Sequence, residues 1–160
     1  LKLSRGLGDV YKRQGLWSVG QFFNNKTFIK SSQKATQWIY NTLKKGVPPR
    51  LYLIERIIYH QRADALAQTL RLFFLHRISG KKIITKEKNI NIILQNLLKF
   101  QFKNNKNKKL DGSFKWGKTS YGKLKPHSNS WVTFFSIQTL YLIKDTLEKK
   151  KLHLEPFDLI

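Results

Sequence analysis

The chain contains no cysteine. Disulfides and thiolate metal sites are therefore excluded, and a reducing compartment, the cytoplasm, is the expected setting. Methionine is also missing, so no start residue is present and the expectation is a reading frame entered partway, with N-terminal helices missing. Acidic residues are scarce, nine against 31 basic ones. No close pair of them suggests the two carboxylates of a glycosidase. Asp111 reads as a turn residue, and Glu55 is the lone acid of its apolar segment. No window approaches the roughly 18 apolar residues of a membrane span. The longest uncharged run, His127 to Ile143, contains Ser, Thr, Asn and Gln and reads as a buried helix. Glycine-rich phosphate loops are absent, since Gly117–Gly122 has neither Walker nor dinucleotide spacing. No cluster of metal-ligating residues is present, and no cofactor is implied.

What is present is globular. A chain of 160 residues that is 41% hydrophobic can bury one real core and does not have the composition of a disordered segment. Its formal charge of +22 raises nucleic acid as a partner. Two observations disfavour that reading. The surplus is mostly lysine and arrives with abundant Asn and Ile, the residues of AT-rich codons. The lysines are also spread along the chain, densest in Lys103–Lys109, whereas a nucleic-acid module clusters arginines with exposed aromatics.

The opening stretch is unlike the rest. Asp9-Val10-Tyr11-Lys12-Arg13-Gln14 resembles the translation of a transposon-end adapter used in DNA sequencing libraries. Residues 1–14 are accordingly set aside as an artefact of a contig end. The domain is read as residues 15–160. Leu1–Gln14 holds four of the basic residues and Asp9, so its removal leaves +19.

Apolar residues recur mainly at helical spacing, and few stretches alternate as a half-buried strand does. Leu16–Phe23 is one expected helix. Ser31 or Ser32 caps a second, with Ala35, Trp38, Ile39 and Leu43 inward and Gly46 at its end. Pro48-Pro49 forces an extended turn, with Pro49 opening the next helix. From Leu51 to Arg77 the stripe changes phase, Leu53, Ile54, Ile57 and Ile58 on one face and Ala63 to Phe74 on another. A break near His60–Arg62 reconciles the two. Further helices run from about Thr85 to Phe102 and from Ser128–Ser130 to Leu147, which makes about six in all. Between the last two lies a long loop bearing Phe114, Trp116, Tyr121 and three glycines, which predicts an ordered, functional segment.

Leu97-Leu98-Lys99-Phe100-Gln101, Leu110-Asp111-Gly112-Ser113-Phe114 and Asn129-Ser130-Trp131-Val132-Thr133-Phe134-Phe135 follow one another in a recognisable order. Helix, glutamine, Asp-Gly turn with an aromatic, then a helix opening on tryptophan: this resembles a repeat of the α/α-toroid proteins, the class of terpenoid cyclases and protein prenyltransferases. The resemblance covers about a quarter of the chain and implies an all-α fold of helical hairpins forming part of a toroid. It carries over no activity. The prenyltransferase zinc site needs a cysteine, and the aspartate-rich acid motif of the cyclases is missing, Asp111 being followed by glycine.

Two sets of candidate site residues emerge. His60, Arg62 and Asp64 stand together at the helix break, where His60 and Asp64 at i and i+4 would share a face and let a carboxylate orient an imidazole. The plainer alternative has Asp64 at the positive end of the next helix and Arg62 in water. The loop set is Trp116, Lys118, Tyr121, His127 and Trp131. Aromatic platforms beside cations suit sugars and anionic groups. The competing reading makes Phe114 and Trp131 core residues between hairpins. His127, Tyr121, His60 and Asp64 are the candidates for catalysis, and Trp116, Lys118, Arg62 and Trp131 those for substrate binding. The expected function is binding or modifying a carbohydrate or related anionic metabolite, whether as an enzyme or not being left open. The alternative is a basic helical scaffold that binds RNA, lipid head groups or a protein.

Overall fold

The computed structural model describes residues 5–52, 57–119 and 121–148. Among them are five helices: α1 (Leu7–Phe22), α2 (Lys26–Asn41), α3 (Ala63–Ile78), α4 (Glu87–Leu98) and α5 (Ser130–Leu147). Five short strands accompany them: β1 (Arg5–Gly6), β2 (Pro49–Tyr52), β3 (Ile57–Tyr59), β4 (Lys115–Lys118) and β5 (Leu124–Ser128). The molecule is mixed α/β, which corrects the all-α expectation and the partial toroid of helical hairpins built on it.

Two places account for the difference. Pro49 opens a strand rather than a helix. The strand β2 pairs antiparallel with β3 in the register Leu51↔Ile58 and Tyr52↔Ile57, and β1 adds on the other side of β2. Proline is tolerated at the first residue of a strand, and Ile57, Ile58 and Tyr59 are residues that suit pleated backbone. A short apolar run of this kind cannot be told from a helical segment by spacing alone. Leu53, Ile54 and Glu55 lie outside the described residues. The second place is the long loop, which contains the antiparallel hairpin β4–β5.

The helix α3 is enclosed, packing against α1, α2, α4 and α5. Thirteen of its sixteen residues are buried, which is why its apolar pattern shows no single stripe. Ala63, Ala65 and Ala67 keep its first turns slim, and Leu66, Leu70 and Leu75 fill the core with Phe74, Ile93, Leu97, Phe114, Val132 and Phe135. The expected break at His60–Arg62 is where α3 begins.

Local chemistry sets the helix boundaries. Asn25, not Ser31 or Ser32, caps α2, its Oδ1 accepting from the backbone N–H of Thr27 and Phe28. The helix therefore runs straight through both serines, and Ser32 is buried against α3. α1 approaches α2 closely at Gly20, where an added Cβ would stand 2.8 Å from the Ile29 side chain. Asn129 caps α5 through Val132 N–H. No helix among the described residues is long and apolar enough to cross a membrane.

One core residue titrates. His76 is fully buried, with Nε2 3.3 Å from Ser32 Oγ and no hydrogen-bond partner at Nδ1 among the described residues. Burial disfavours the imidazolium and lowers the pKa from 6.5 to about 4, against a smaller upward pull from Ser32. The unfolded chain thus takes up a proton as pH drops below 6.5, whereas the folded one does not until about 4. Stability contributed by neutral His76 is present above the unfolded pKa and lost on acidification, by about 1.4 kcal/mol per pH unit and on the order of 3 kcal/mol in total. Urea midpoints compared across this window for the native chain and His76→Asn should diverge at neutral pH and converge towards pH 4. Parallel curves would show that His76 does not couple to folding.

A lysine groove beside an arginine-tryptophan clasp

The segment after α4 turns back on itself through backbone bonds. Phe102 N–H donates to Ser113 O, Gly112 N–H to Phe102 O, and Lys115 N–H to Phe100 O, at 2.8, 2.9 and 2.8 Å. Asp111 is a turn residue, its Oδ1 accepting from Asn105 N–H at 3.2 Å, and Gly112 has a φ of +82°. The Gln101 amide donates to Gly112 O at 3.3 Å. Phe114 is completely buried under this turn, tied by its own N–H to Thr133 Oγ1 of α5.

The strand β4 is held against the start of α3. Arg62 bridges to Gly117, and Lys118 N–H donates to Gln61 O at 2.7 Å. Above this contact the Arg62 guanidinium lies 4.6 Å from the centre of the Trp116 ring. Its Nε and Nη2 donate to the two oxygens of Asp64 at 3.0 and 2.5 Å, and Asp64 also accepts from Ala65 N–H in the first turn of α3. Asp64 is buried, so its charge is matched both by the arginine and by the helix N-terminus. The two sets of residues picked out in the sequence thus meet at one point, Arg62 and Asp64 with Trp116.

The others stand apart. His60 precedes α3, so the helical i, i+4 geometry expected for it and Asp64 does not form. Lys118 is half-buried at the end of β4. Tyr121 sits at the hairpin tip and is 96% exposed. His127 is exposed on β5, across the hairpin from the irregular stretch of β4 that holds Trp116. Trp131, in the first turn of α5, is 59% exposed and meets Phe135 edge to face at 4.6 Å.

A concave surface lies on the other side of Lys115. Between the end of α4 and β4 opens a groove of about 520 Å³. Lys99, Lys103 and Lys115 reach it, together with the amides of Gln95, Gln101 and Asn105, and Leu98 and Phe102 supply its apolar wall. Lys115 Nζ stands 4.8 Å from the centre of the Phe102 ring. Among the described residues no carboxylate lines this groove, Glu87 lying on the adjoining depression along α4. A second depression of about 440 Å³ runs on along α4 and shares Gln95 and Lys99 with the first. The negative end of a helix is ordinarily a poor place for an anion. Here Leu97 O and Leu98 O accept from the N–H groups of Phe100 and Gln101, and three lysine ammonium groups outweigh the partial negative charge of the helix end.

Sequence reasoning named none of the three groove lysines as a site residue. The signal available was the dense Lys103–Lys109 run, but Lys106, Lys108 and Lys109 of that run are solvated, and only folding brings Lys99 and Lys115 to Lys103. Among the described residues no group of three or more His, Asp or Glu side chains could hold a metal ion. No protein-family model, curated protein or solved structure matches the chain.

Proposed function

We propose that the chain binds a small anionic metabolite, a sugar phosphate or uronic acid, in the groove between α4 and β4. The observation that carries this reading is the meeting of Lys99, Lys103 and Lys115 in one concavity that no carboxylate among the described residues lines. Lysine ammonium groups neutralise a phosphate or carboxylate, amides such as Gln101 and Asn105 bond hydroxyls, and the Phe102 ring offers a face to sugar C–H groups. The Arg62–Trp116–Asp64 clasp has a supporting role, fixing β4 on α3 and so holding Lys115 in place. The reading places the protein in the cytoplasm, where phosphorylated sugars are held and a chain without cysteine is at home.

Calorimetric titration with glucose 6-phosphate, glucuronate and glucose tests it. Binding is expected for the two anions and not for glucose, weakening as salt is added. Lys99→Gln and Lys115→Gln should each lower the affinity about tenfold, the value of one charge-assisted contact. Equal binding of glucose, or variants that bind as the native chain does, would refute the proposal.

A further inference from the structure

The turn joining α1 to α2 carries a feature that the groove leaves unexplained. Phe22 and Phe23 are 65% and 69% exposed and rest against each other edge to face, ring centres 4.9 Å apart. Val19 and Phe28 beside them are also exposed. So large an apolar knob facing water calls for a partner. Along the chain its surroundings carry no negative charge. From Val10 to Ile54 there is no acidic residue, while Lys26 and Lys30 follow the knob directly, both exposed.

The basic surface extends along α2. Lys26, Lys30, Gln33 and Gln37 succeed one another at spacings of three and four residues, on one helix face. Gln37 bonds both backbone groups of Ile84 at 2.7 Å, and the Gln33 amide donates to Lys82 O at 3.0 Å. These bonds lay the connection after α3 against α2 and add exposed Lys82 and Ile84 to the same surface.

We propose that this end of the molecule docks on an anionic lipid bilayer. Phe22 and Phe23 enter the boundary between head groups and acyl chains, and Lys26, Lys30 and Lys82 engage lipid phosphates and carboxylates. The two kinds of group are what reversible membrane binding needs together, an apolar anchor and a cationic patch. A nucleic acid fits the surface less well. Base stacking uses flat ring faces flanked by arginine, but here two phenyl rings cap an apex, one turned edgewise on the other, and the cations are lysines. No spanning helix is required, since the protein would lie on the membrane.

Co-sedimentation of the full chain with vesicles decides the matter, using phosphatidylcholine alone and phosphatidylcholine mixed with phosphatidylserine. Binding is expected only to the mixed vesicles and should weaken with salt. Exchanging Lys26→Gln and Lys30→Gln together should lower partitioning about 25-fold, about fivefold for each charge near the surface. Phe22→Ser with Phe23→Ser should lower it on the order of a hundredfold while the salt dependence persists. These positions are exposed, so unchanged circular dichroism would show that both variants fold. Equal binding to phosphatidylcholine alone, or a phenylalanine variant that binds mixed vesicles as the native chain does, would overturn the proposal. So would a single-stranded oligoribonucleotide that strips the protein from vesicles and binds the phenylalanine variant undiminished.

Discussion

Phe114→Ala is expected to destabilise the chain by about 4 kcal/mol, lowering the thermal midpoint by about 12 °C. Among the described residues Phe114 is the largest side chain with no exposure at all. Its backbone is anchored on both sides, by N–H to Thr133 Oγ1 at 2.9 Å and by C=O from Asn129 N–H at 3.2 Å. These bonds survive the substitution, so the surrounding elements cannot collapse to fill the space. The cost is the lost transfer energy of the ring together with the cavity left behind. Urea unfolding of the variant measures it, and a loss below about 1 kcal/mol would mean that the turn after α4 is not packed as described.

Gly117→Ala is the second large effect, for a different reason. Gly117 has a φ of +133°, a backbone conformation that L side chains rarely adopt, and an added Cβ would lie 2.5 Å from Gln61 O and 2.7 Å from Arg62 Cα. Both neighbours are main chain and cannot rotate aside. The strand has to leave α3, taking the Lys118–Gln61 bond and the stacking of Arg62 on Trp116 with it. Strain of this kind costs about 1–3 kcal/mol before the collision is counted, so a total of about 3–4 kcal/mol is expected. Gly112→Ala is the control. Its φ is +82°, yet an added Cβ meets nothing within 4 Å, and the expected cost is about 1 kcal/mol. Equal losses for the two variants would show that φ alone, not the contact of β4 with α3, governs Gly117. Because Lys115 is carried on the same strand, Gly117→Ala should also weaken anion binding in the groove, which calorimetry would register.

Much of the helical content was legible because its signals are local. The stretch from Thr85 to Phe102 contains α4, the stretch from Ser128 to Leu147 contains α5, and Leu16–Phe23 falls in α1 but for its last residue. Asp-Gly at residues 111 and 112 forms the turn that its chemistry demands. Asp64 at the first turn of α3 follows from the helix dipole. Phe114, the aromatic after the Asp-Gly turn, is core. Each of these depends on neighbours a few residues away, and a chain carries that information in its order.

The strands and the site were not legible, and the reason is equally physical. Leu51–Tyr52 and Ile57–Tyr59 are short apolar runs, compatible with either a helix or a strand, and the choice fell to pairing between segments. Ser32 looks like a helix cap until His76, 44 residues away, is seen to enclose it. Arg62 reads as a solvated cation until Gly117 brings Trp116 beneath it. The lysine run of residues 103–109 does not reveal which member matters, because Lys99 and Lys115 reach Lys103 only after the turn closes. Composition and spacing by themselves determined that this is a basic, cysteine-free chain rich in helix, with its breaks and turns in particular places. The enclosure of α3, the closure of β4 onto its N-terminus and the groove that this leaves open were decided by tertiary structure, since each requires contacts between residues whose separation along the chain no local preference spans.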